Sequence, residues 1–238
     1  MHPSGRRLLV GTAIVLLALN LRVAVSSVGV VLEPLRDDLG MSASVAGVLT
    51  TLPVLCFALF GSGSHGVVRM VGLHRTTALL LVVTTVGLAL RAVVDSSGPF
   101  LALSVVSLAG AAVGNVILPV LAKVHFPDRI PLISALFGAA LMAGGALGSV
   151  VTVPAADAFG GWRVGLGAWA LLAVAALIPW LRFLGHDLHV DDGSARLKLR
   201  GLARSKLAWA MALCFGAQSA QAYAQFGWFP AILHDGGL

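Results

Sequence analysis

The chain alternates long apolar runs with short polar breaks. The first run, Leu8 to Leu32, contains 25 residues, and a helix needs about 20 mainly apolar residues to cross a bilayer. Breaks such as the turn-forming stretch 95–99 separate the runs. The pattern predicts an all-α, polytopic membrane helix bundle with spans over 8–32, 43–64, 76–94, 100–122, 131–155, 163–181 and 207–230.

Composition supports a membrane protein. The chain is 58% hydrophobic and 11% charged, with a mean hydropathy of +0.95, whereas soluble domains carry about 25% charged residues. The net charge of +6 does not indicate nucleic-acid binding, because the basic residues lie in the polar breaks without interleaved aromatic residues. The run that follows Arg6 and Arg7 is too long for a secretory signal, so we expect an uncleaved first span.

Basic residues also predict the orientation. With the N-terminus inside, twelve Lys and Arg residues fall on the inner side and two, Arg36 and Arg163, on the outer side. We therefore expect a plasma-membrane protein with a cytoplasmic N-terminus. Arg196, Arg200 and Arg204 share one helical face, which favours a short helix on the anionic inner leaflet.

The predicted organisation has three parts. Residues 1–181 form a six-span N-terminal transmembrane bundle, 182–206 a basic cytoplasmic linker, and 207–238 the first span of a truncated C-terminal bundle. This is the layout of one half of a twelve-span carrier, whose halves contain inverted three-span repeats. Either a C-terminal half is missing from the sequence or a second subunit supplies it.

Arg22 in the first span is the main candidate site residue, together with Asn20 across the same helix. An arginine at the centre of a spanning helix costs roughly 3 kcal/mol by insertion scales. We expect it to face a central cavity and bind a small anionic or polar solute. The alternatives are an internal ion pair or a cap on backbone carbonyl groups, but no Asp or Glu lies deep within a span.

Three amides on the seventh run are further candidates. Gln218, Gln221 and Gln225 share one helical face, which either lines a wet cavity or hydrogen-bonds to another helix. Asn115 in the fourth run has the same two alternatives. Arg91 near the outer end of the third run either snorkels to the interface or pairs with Asp95, so we do not assign it to the site.

Other patterns carry structural expectations. The small residues Gly110 and Gly114, and the later set Gly144, Gly145 and Gly148, predict close helix contacts. Trp228 is expected to be an interfacial anchor. His186 and His189 lack partners for a metal site, the two cysteines lie in apolar runs, and no nucleotide-binding loop is present. We therefore expect no metal, no cofactor and no enzymatic activity.

Several motifs carry a family resemblance. They are LNLRVAVSSVGVVLEPLRDDLGMSASVAGVLTTLPVLCFALF at 19–60, GNVILP at 114–119, GWR at 161–163, GAQS at 216–219 and WFP at 228–230. The chain resembles the cyanate/nitroimidazole permease family of the major facilitator superfamily. The resemblance implies a major-facilitator-type six-helix N-terminal half plus a seventh transmembrane helix.

The resemblance also implies a gating loop between the second and third spans. Gly72 is kept in the corresponding run 65–74, but Arg69 stands where the superfamily has Asp, and Arg75 follows the run. The charge relay attributed to that motif is therefore in doubt.

The function implied is secondary transport by alternating access. The expected partners are the lipid bilayer, a small solute such as a cyanate-like or organic anion, protons or a counter-ion, and a C-terminal half or second subunit; nucleic acid is not expected. The alternatives are a non-transporting membrane interaction or structural protein, and an inactive truncated carrier.

Overall fold

The computed structural model describes residues 3–185 and 204–235, and these contain helices but no strands. The described residues form nine helices: α1 Pro3–Gly29, α2 Leu32–Asp38, α3 Ala43–Val71, α4 Leu73–Arg91, α5 Ser97–His125, α6 Ile130–Phe159, α7 Trp162–Gly167, α8 Trp169–Leu181 and α9 Lys206–Asp235. The predicted inner-leaflet helix and the two linker histidines lie outside the described residues, as does the side chain of Trp228.

The all-helical prediction is confirmed. Among the described residues, six helical segments are long and apolar enough to cross a membrane: α1, α3, α4, α5, α6 and the α7–α8 segment. Two predicted spans are divided, because the first run ends its long helix at Gly29 and continues as α2, and the sixth run changes helix at Ala168. The seventh run forms the continuous helix α9, whose crossing of the membrane stays a prediction.

Helix α1 lies at the centre of the bundle. Its sequence is apolar on nearly every side, which is typical of a helix that is buried all round. It packs against α5, α6 and α8, and also against α9. Side chains such as Ala13, Leu17 and Leu21 are at most 2% exposed. Because α1 is packed on these sides, it sets the positions of the polar side chains in its outer half.

Three apolar clusters of buried residues fill the bundle. The inner cluster includes Leu17 and Leu118, the outer cluster includes Phe100, and a smaller third cluster includes Ala24 and Leu88. On α1, the polar residues from 20 to 27 lie where the inner and outer clusters meet. The buried polar side chains of the described bundle are Asn20, Ser26, Ser27, Ser64, His74, Thr76, Thr77, Thr84, Arg91, Ser104, Ser107 and Thr152.

Close helix packing depends on glycine, as predicted. A Cβ at Gly144 would overlap the backbone carbonyl group of Leu19 on α1, with its carbon 2.9 Å away. A Cβ at Gly110 would lie 2.6 Å from the carbonyl oxygen of Leu80 on α4. Because backbone atoms cannot move aside as a flexible side chain can, these two contacts exclude any larger residue.

Charged residues join the loops at each end of the bundle. At the predicted outer end, Arg163 forms ion pairs with Asp38 and with Asp95, the latter at 2.7 Å between Nη2 and Oδ1. At the predicted inner end, Arg7 lies 3.3 Å from Asp128. These ion pairs join loops at opposite ends of the bundle, as expected when successive spans run in opposite directions. The assignment of one end to the cytoplasm stays a prediction.

We expect Gly144→Ala to destabilise the protein. The added methyl group meets the α1 backbone, and overpacking of this kind costs about 1–3 kcal/mol. Gly138 on the same helix is the matched control, because a Cβ there meets nothing within 4 Å. Thermal unfolding in detergent should show a lower midpoint for Gly144→Ala and an unchanged or higher one for Gly138→Ala, since alanine favours the helix. Equal midpoints for the two variants would contradict the close contact.

We expect Asp38→Ala to lower the unfolding midpoint more than Asp95→Ala. Asp38 accepts a hydrogen bond from Trp162 Nε1 at 3.1 Å besides its ion pair with Arg163, and its side chain is 45% exposed. The Asp95 side chain is 88% exposed, so water screens its ion pair. The loss should be about 1 kcal/mol for Asp38→Ala and less for Asp95→Ala. The opposite order in the same thermal assay would refute this assignment.

Candidate functional site

Arg22 projects from α1 toward α9. Its side chain is half-buried, and its guanidinium carbon lies 5.7 Å from the centroid of the Tyr223 ring. A guanidinium above an aromatic ring at this distance gains about 0.5–2 kcal/mol, depending on its exposure to water. The Ser26 hydroxyl donates a hydrogen bond to the Arg22 carbonyl oxygen at 3.2 Å, so this serine is satisfied within its own helix.

Tyr223 is the residue of α9 that meets the six-span bundle at this point. It is half-buried, and its ring centroid lies 5.8 Å from that of Phe57 on α3. The sequence pattern does not select Tyr223, because this residue lies off the glutamine face. Its position opposite that face is the signal that could have identified it, since one face of α9 has to meet the bundle.

The three glutamines lie on the other side of α9. Gln218, Gln221 and Gln225 are exposed, and Cys214 on the same face is exposed as well. The structure therefore brings Arg22 together with Tyr223 and does not bring it together with the glutamine face. The binding role of the glutamines stays a prediction.

Asn20 is buried next to a close contact between α1 and α6. It is 1% exposed, and its side-chain Nδ2 has no hydrogen-bond partner among the described residues. A buried amide normally finds a partner, so a donor of this kind stands out in a native structure. Its neighbour Leu19 is the residue whose carbonyl group faces Gly144.

Asn115 bonds within its own helix. Its Nδ2 donates to the carbonyl oxygen of Ala111 at 3.1 Å, and the residue is half-buried. This bond is neither of the two arrangements expected from the sequence, a cavity contact or an interhelical bond. Its place in a solute pathway stays a prediction.

Arg91 does not behave as the sequence suggested. It was expected to snorkel or to pair with Asp95, but it is 1% exposed and its Nη1 lies 3.5 Å from the carbonyl oxygen of Ala24 on α1. Asp95 forms an ion pair with Arg163 instead. The two side chains point in different directions, because Asp95 lies exposed in the loop after α4, near the start of α7, whereas the Arg91 side chain turns into the bundle.

A small cavity of about 30 Å³ lies beside Arg91 in the predicted outer half of the bundle. Helices α1, α3, α4, α5 and α9 all contribute to its wall, which includes Thr50, Arg91, Ser104 and Tyr223. Tyr223 therefore has two roles, since it faces this cavity and carries Arg22 over its ring. Tyr223 thus links the Arg22 position with the cavity that Arg91 lines.

The loop expected to gate the carrier is a single-residue joint between α3 and α4. Gly72 has φ +98°, which side chains rarely adopt, and its N–H donates to the Val68 carbonyl oxygen at 2.9 Å. Arg69 and Arg75 are exposed on either side of it. The positive φ angle explains why glycine occupies position 72. The gating role of Arg69, Gly72 and Arg75 stays a prediction.

The membrane interior of the described chain carries positive charge. Arg22 and Arg91 lie within spans, whereas the acidic residues of the long helices lie at helix ends, Asp157 near the end of α6 and Asp235 at the end of α9. A low-dielectric region that carries these two cations favours an anion over a cation.

Comparison with known proteins identifies the family. The family model described as Major Facilitator Superfamily matches residues 8–238. The chain is 33% identical to the "Uncharacterized transporter YycB" of Bacillus subtilis (strain 168), with all of this chain and 60% of the relative aligned.

Two relatives from Escherichia coli (strain K12) have more specific names. The chain is 33% identical to the "2-nitroimidazole transporter", over 98% of this chain and 60% of that protein, and 32% identical to the "Cyanate transport protein CynX", over 92% and 57%. The chain thus spans about 60% of the length of the curated relatives it matches. It belongs to the Major Facilitator Superfamily, and the resemblance to its cyanate/nitroimidazole permeases is confirmed.

Proposed function

We propose that this multi-pass membrane protein acts in an alternating-access carrier for a small anionic or polar solute, with Arg22 in the solute pathway. The observation that carries the proposal is the placement of Arg22 on the central helix, half-buried and facing Tyr223. Arg22 lies within the span Gly5–Gly29, and carriers bind their solutes near the bilayer midplane.

The chemistry of Arg22 suits an anionic solute. Placing a guanidinium within a spanning helix is costly, roughly 3 kcal/mol at the helix centre by insertion scales, so such residues mark functional sites more often than lipid-facing ones. The ring of Tyr223 lies beside the guanidinium and holds one side of it. The planar guanidinium offers several donors to an anionic solute.

The names of the relatives set the range of solutes. One relative is named for cyanate, a small linear anion, and another for 2-nitroimidazole, a polar ring that carries a nitro group. Both solutes present acceptor atoms that a guanidinium can bind. We infer that the solute of this chain is a small anion or a small polar compound with acceptor oxygens.

The proposal has a membrane setting. The excess of Lys and Arg on one side favours a plasma-membrane protein with a cytoplasmic N-terminus. Residues 1–181, 182–206 and 207–238 correspond to a six-span bundle, a linker and the start of a second bundle. Protons or a counter-ion would couple transport, and a C-terminal half or second subunit would complete the cavity.

The glutamine face of α9 fits this arrangement. Three exposed amides would be poor neighbours for lipid, since an unsatisfied polar group in hydrocarbon costs several kcal/mol. We propose that this face borders water in the carrier, on the side of α9 opposite to Arg22. Asn20 on α1 and Asn115 on α5 would contribute to binding of the solute.

We expect Arg22→Ala to abolish solute uptake. Uptake of labelled cyanate, formate and 2-nitroimidazole is measured in vesicles containing the intact chain, and binding of the same compounds is measured in detergent. Arg22→Lys should retain partial activity, since it keeps the charge and loses the planar fork. Arg182→Ala is the control, because Arg182 is an exposed cation at the end of α8.

Two outcomes would count against the proposal. Unchanged uptake and binding by a folded Arg22→Ala variant would remove Arg22 from the pathway. A wild-type chain that inserts correctly but neither binds nor moves any solute of the panel would support a structural or interaction role instead.

We expect Cys214 to react with a hydrophilic maleimide while Cys56 stays protected. Cys214 is exposed on the glutamine face of α9, whereas Cys56 is 3% exposed inside the bundle. Thiol labelling requires water for the thiolate to form, so membrane-embedded protein should be labelled only where the face is wet. Cys214→Ala should lose the label and Cys56→Ala should keep it. A Cys214 that reacts in detergent but not in the membrane would place this face against lipid or another helix.

A further inference from the structure

The guanidinium of Arg91 is buried with one edge unsatisfied. The side chain is 1% exposed, and its Nε and Nη2 have no hydrogen-bond partner among the described residues. Only Nη1 has one, the Ala24 carbonyl oxygen at 3.5 Å, which is at the limit of a hydrogen bond. In a guanidinium, Nε and Nη2 form the side-on pair of donors that binds a carboxylate through two parallel hydrogen bonds.

No carboxylate of the described protein occupies that edge. Asp95, four residues further along, is held by Arg163, whose Nη2 lies 2.7 Å from its Oδ1. Arginine remains charged in proteins, so it cannot avoid the cost of burial by losing its proton. A buried charge without a partner is strongly destabilising, which makes this residue a candidate for an external counter-charge.

A second donor without a partner belongs to a residue that lines the same cavity. The hydroxyl of Ser104 on α5 is buried and has no hydrogen-bond partner among the described residues. Ser104 and Arg91 both line the cavity of about 30 Å³. Most buried hydroxyls of the described bundle bond to carbonyl groups, as Ser107 does to the Ser104 carbonyl oxygen at 2.9 Å. Ser27 is a further buried hydroxyl without such a bond, but it does not line this cavity.

We propose that the cavity at Arg91 and Ser104 is a binding subsite for a small planar oxyanion of the carboxylate type. Two oxygens on one atom match the Nε and Nη2 donors of Arg91, and Ser104 donates to one of them. A water occupies about 10–15 Å³ on the same measure, so the cavity accommodates roughly two water-sized groups. That size suits formate or nitrite and excludes an aromatic ring.

Tyr223 connects this subsite with the Arg22 position. It lines the cavity and lies under the Arg22 guanidinium, so α9 closes one side of the subsite. As a stage in solute transfer, the subsite rests on the proposed transport function. As an anion-binding site, it stands on the geometry of Arg91 and Ser104 alone.

The test is anion-dependent stability of the purified full chain. The unfolding midpoint is followed while formate replaces gluconate at constant ionic strength. Gluconate carries the same carboxylate but is too large for the cavity. A ligand that binds only the folded state raises the midpoint with its concentration. Formate and nitrite should do so, while linear cyanate and spherical chloride should act more weakly.

Substitutions assign the effect to the subsite. Arg91→Gln should weaken formate binding by at least about 30-fold, and Ser104→Ala by about tenfold, because hydrogen bonds to charged groups are the strong ones. Arg182→Gln, at an exposed position, should respond as the wild type does. A wild type that is indifferent to formate would overturn the proposal, as would a folded Arg91→Gln that responds normally. If Arg91→Gln does not fold, an undiminished response of Ser104→Ala overturns it.

Uptake measured in parallel separates the two proposals. Formate-dependent stabilisation that requires Arg91, without uptake of any solute, would leave the subsite standing and refute the transport function. Uptake that requires Arg22, with no effect of formate on stability, would support the transport function and refute the subsite.

Discussion

The cost of burying a guanidinium in a membrane bundle governs the outer half of this structure. Arg22 and Arg91 both stay charged within the bundle. The guanidinium of Arg22 lies 5.7 Å from the centroid of the Tyr223 ring, whereas that of Arg91 has one carbonyl oxygen at 3.5 Å. The proposed function rests on the placement of Arg22, and the proposed subsite rests on the unsatisfied donors of Arg91.

The packing that holds these arginines in place is tight and backbone-based. Helix α1 approaches α6 closely because Gly144 has no side chain, and α4 approaches α5 closely because of Gly110. Contacts of this type suit a membrane, where apolar burial drives helix association weakly and close van der Waals packing matters more. A rigid α1 gives Arg22 a fixed direction, which a binding residue requires.

The outer end of the bundle shows how one ion pair can decide the role of another residue. Arg163 draws Asp38 and Asp95 to itself, and the Trp162 side chain supports the arrangement by donating to Asp38. With Asp95 engaged, Arg91 has no nearby acid and turns toward Ala24. The Gly161–Arg163 motif thus contributes to the candidate subsite without touching it.

Period and composition were enough to determine the helices, since apolar runs near the length of a bilayer leave few other structures possible. The sequence also located Arg22 and the small residues at close contacts, because charge inside a span and small-residue spacing are local signals. It did not reveal which way Arg91 turns, that Tyr223 meets Arg22, or that Asn115 bonds to its own helix. Those outcomes depend on which side chains of distant helices lie nearby in the folded protein. Only the tertiary structure brings Arg163 to Asp95 across 68 residues of chain.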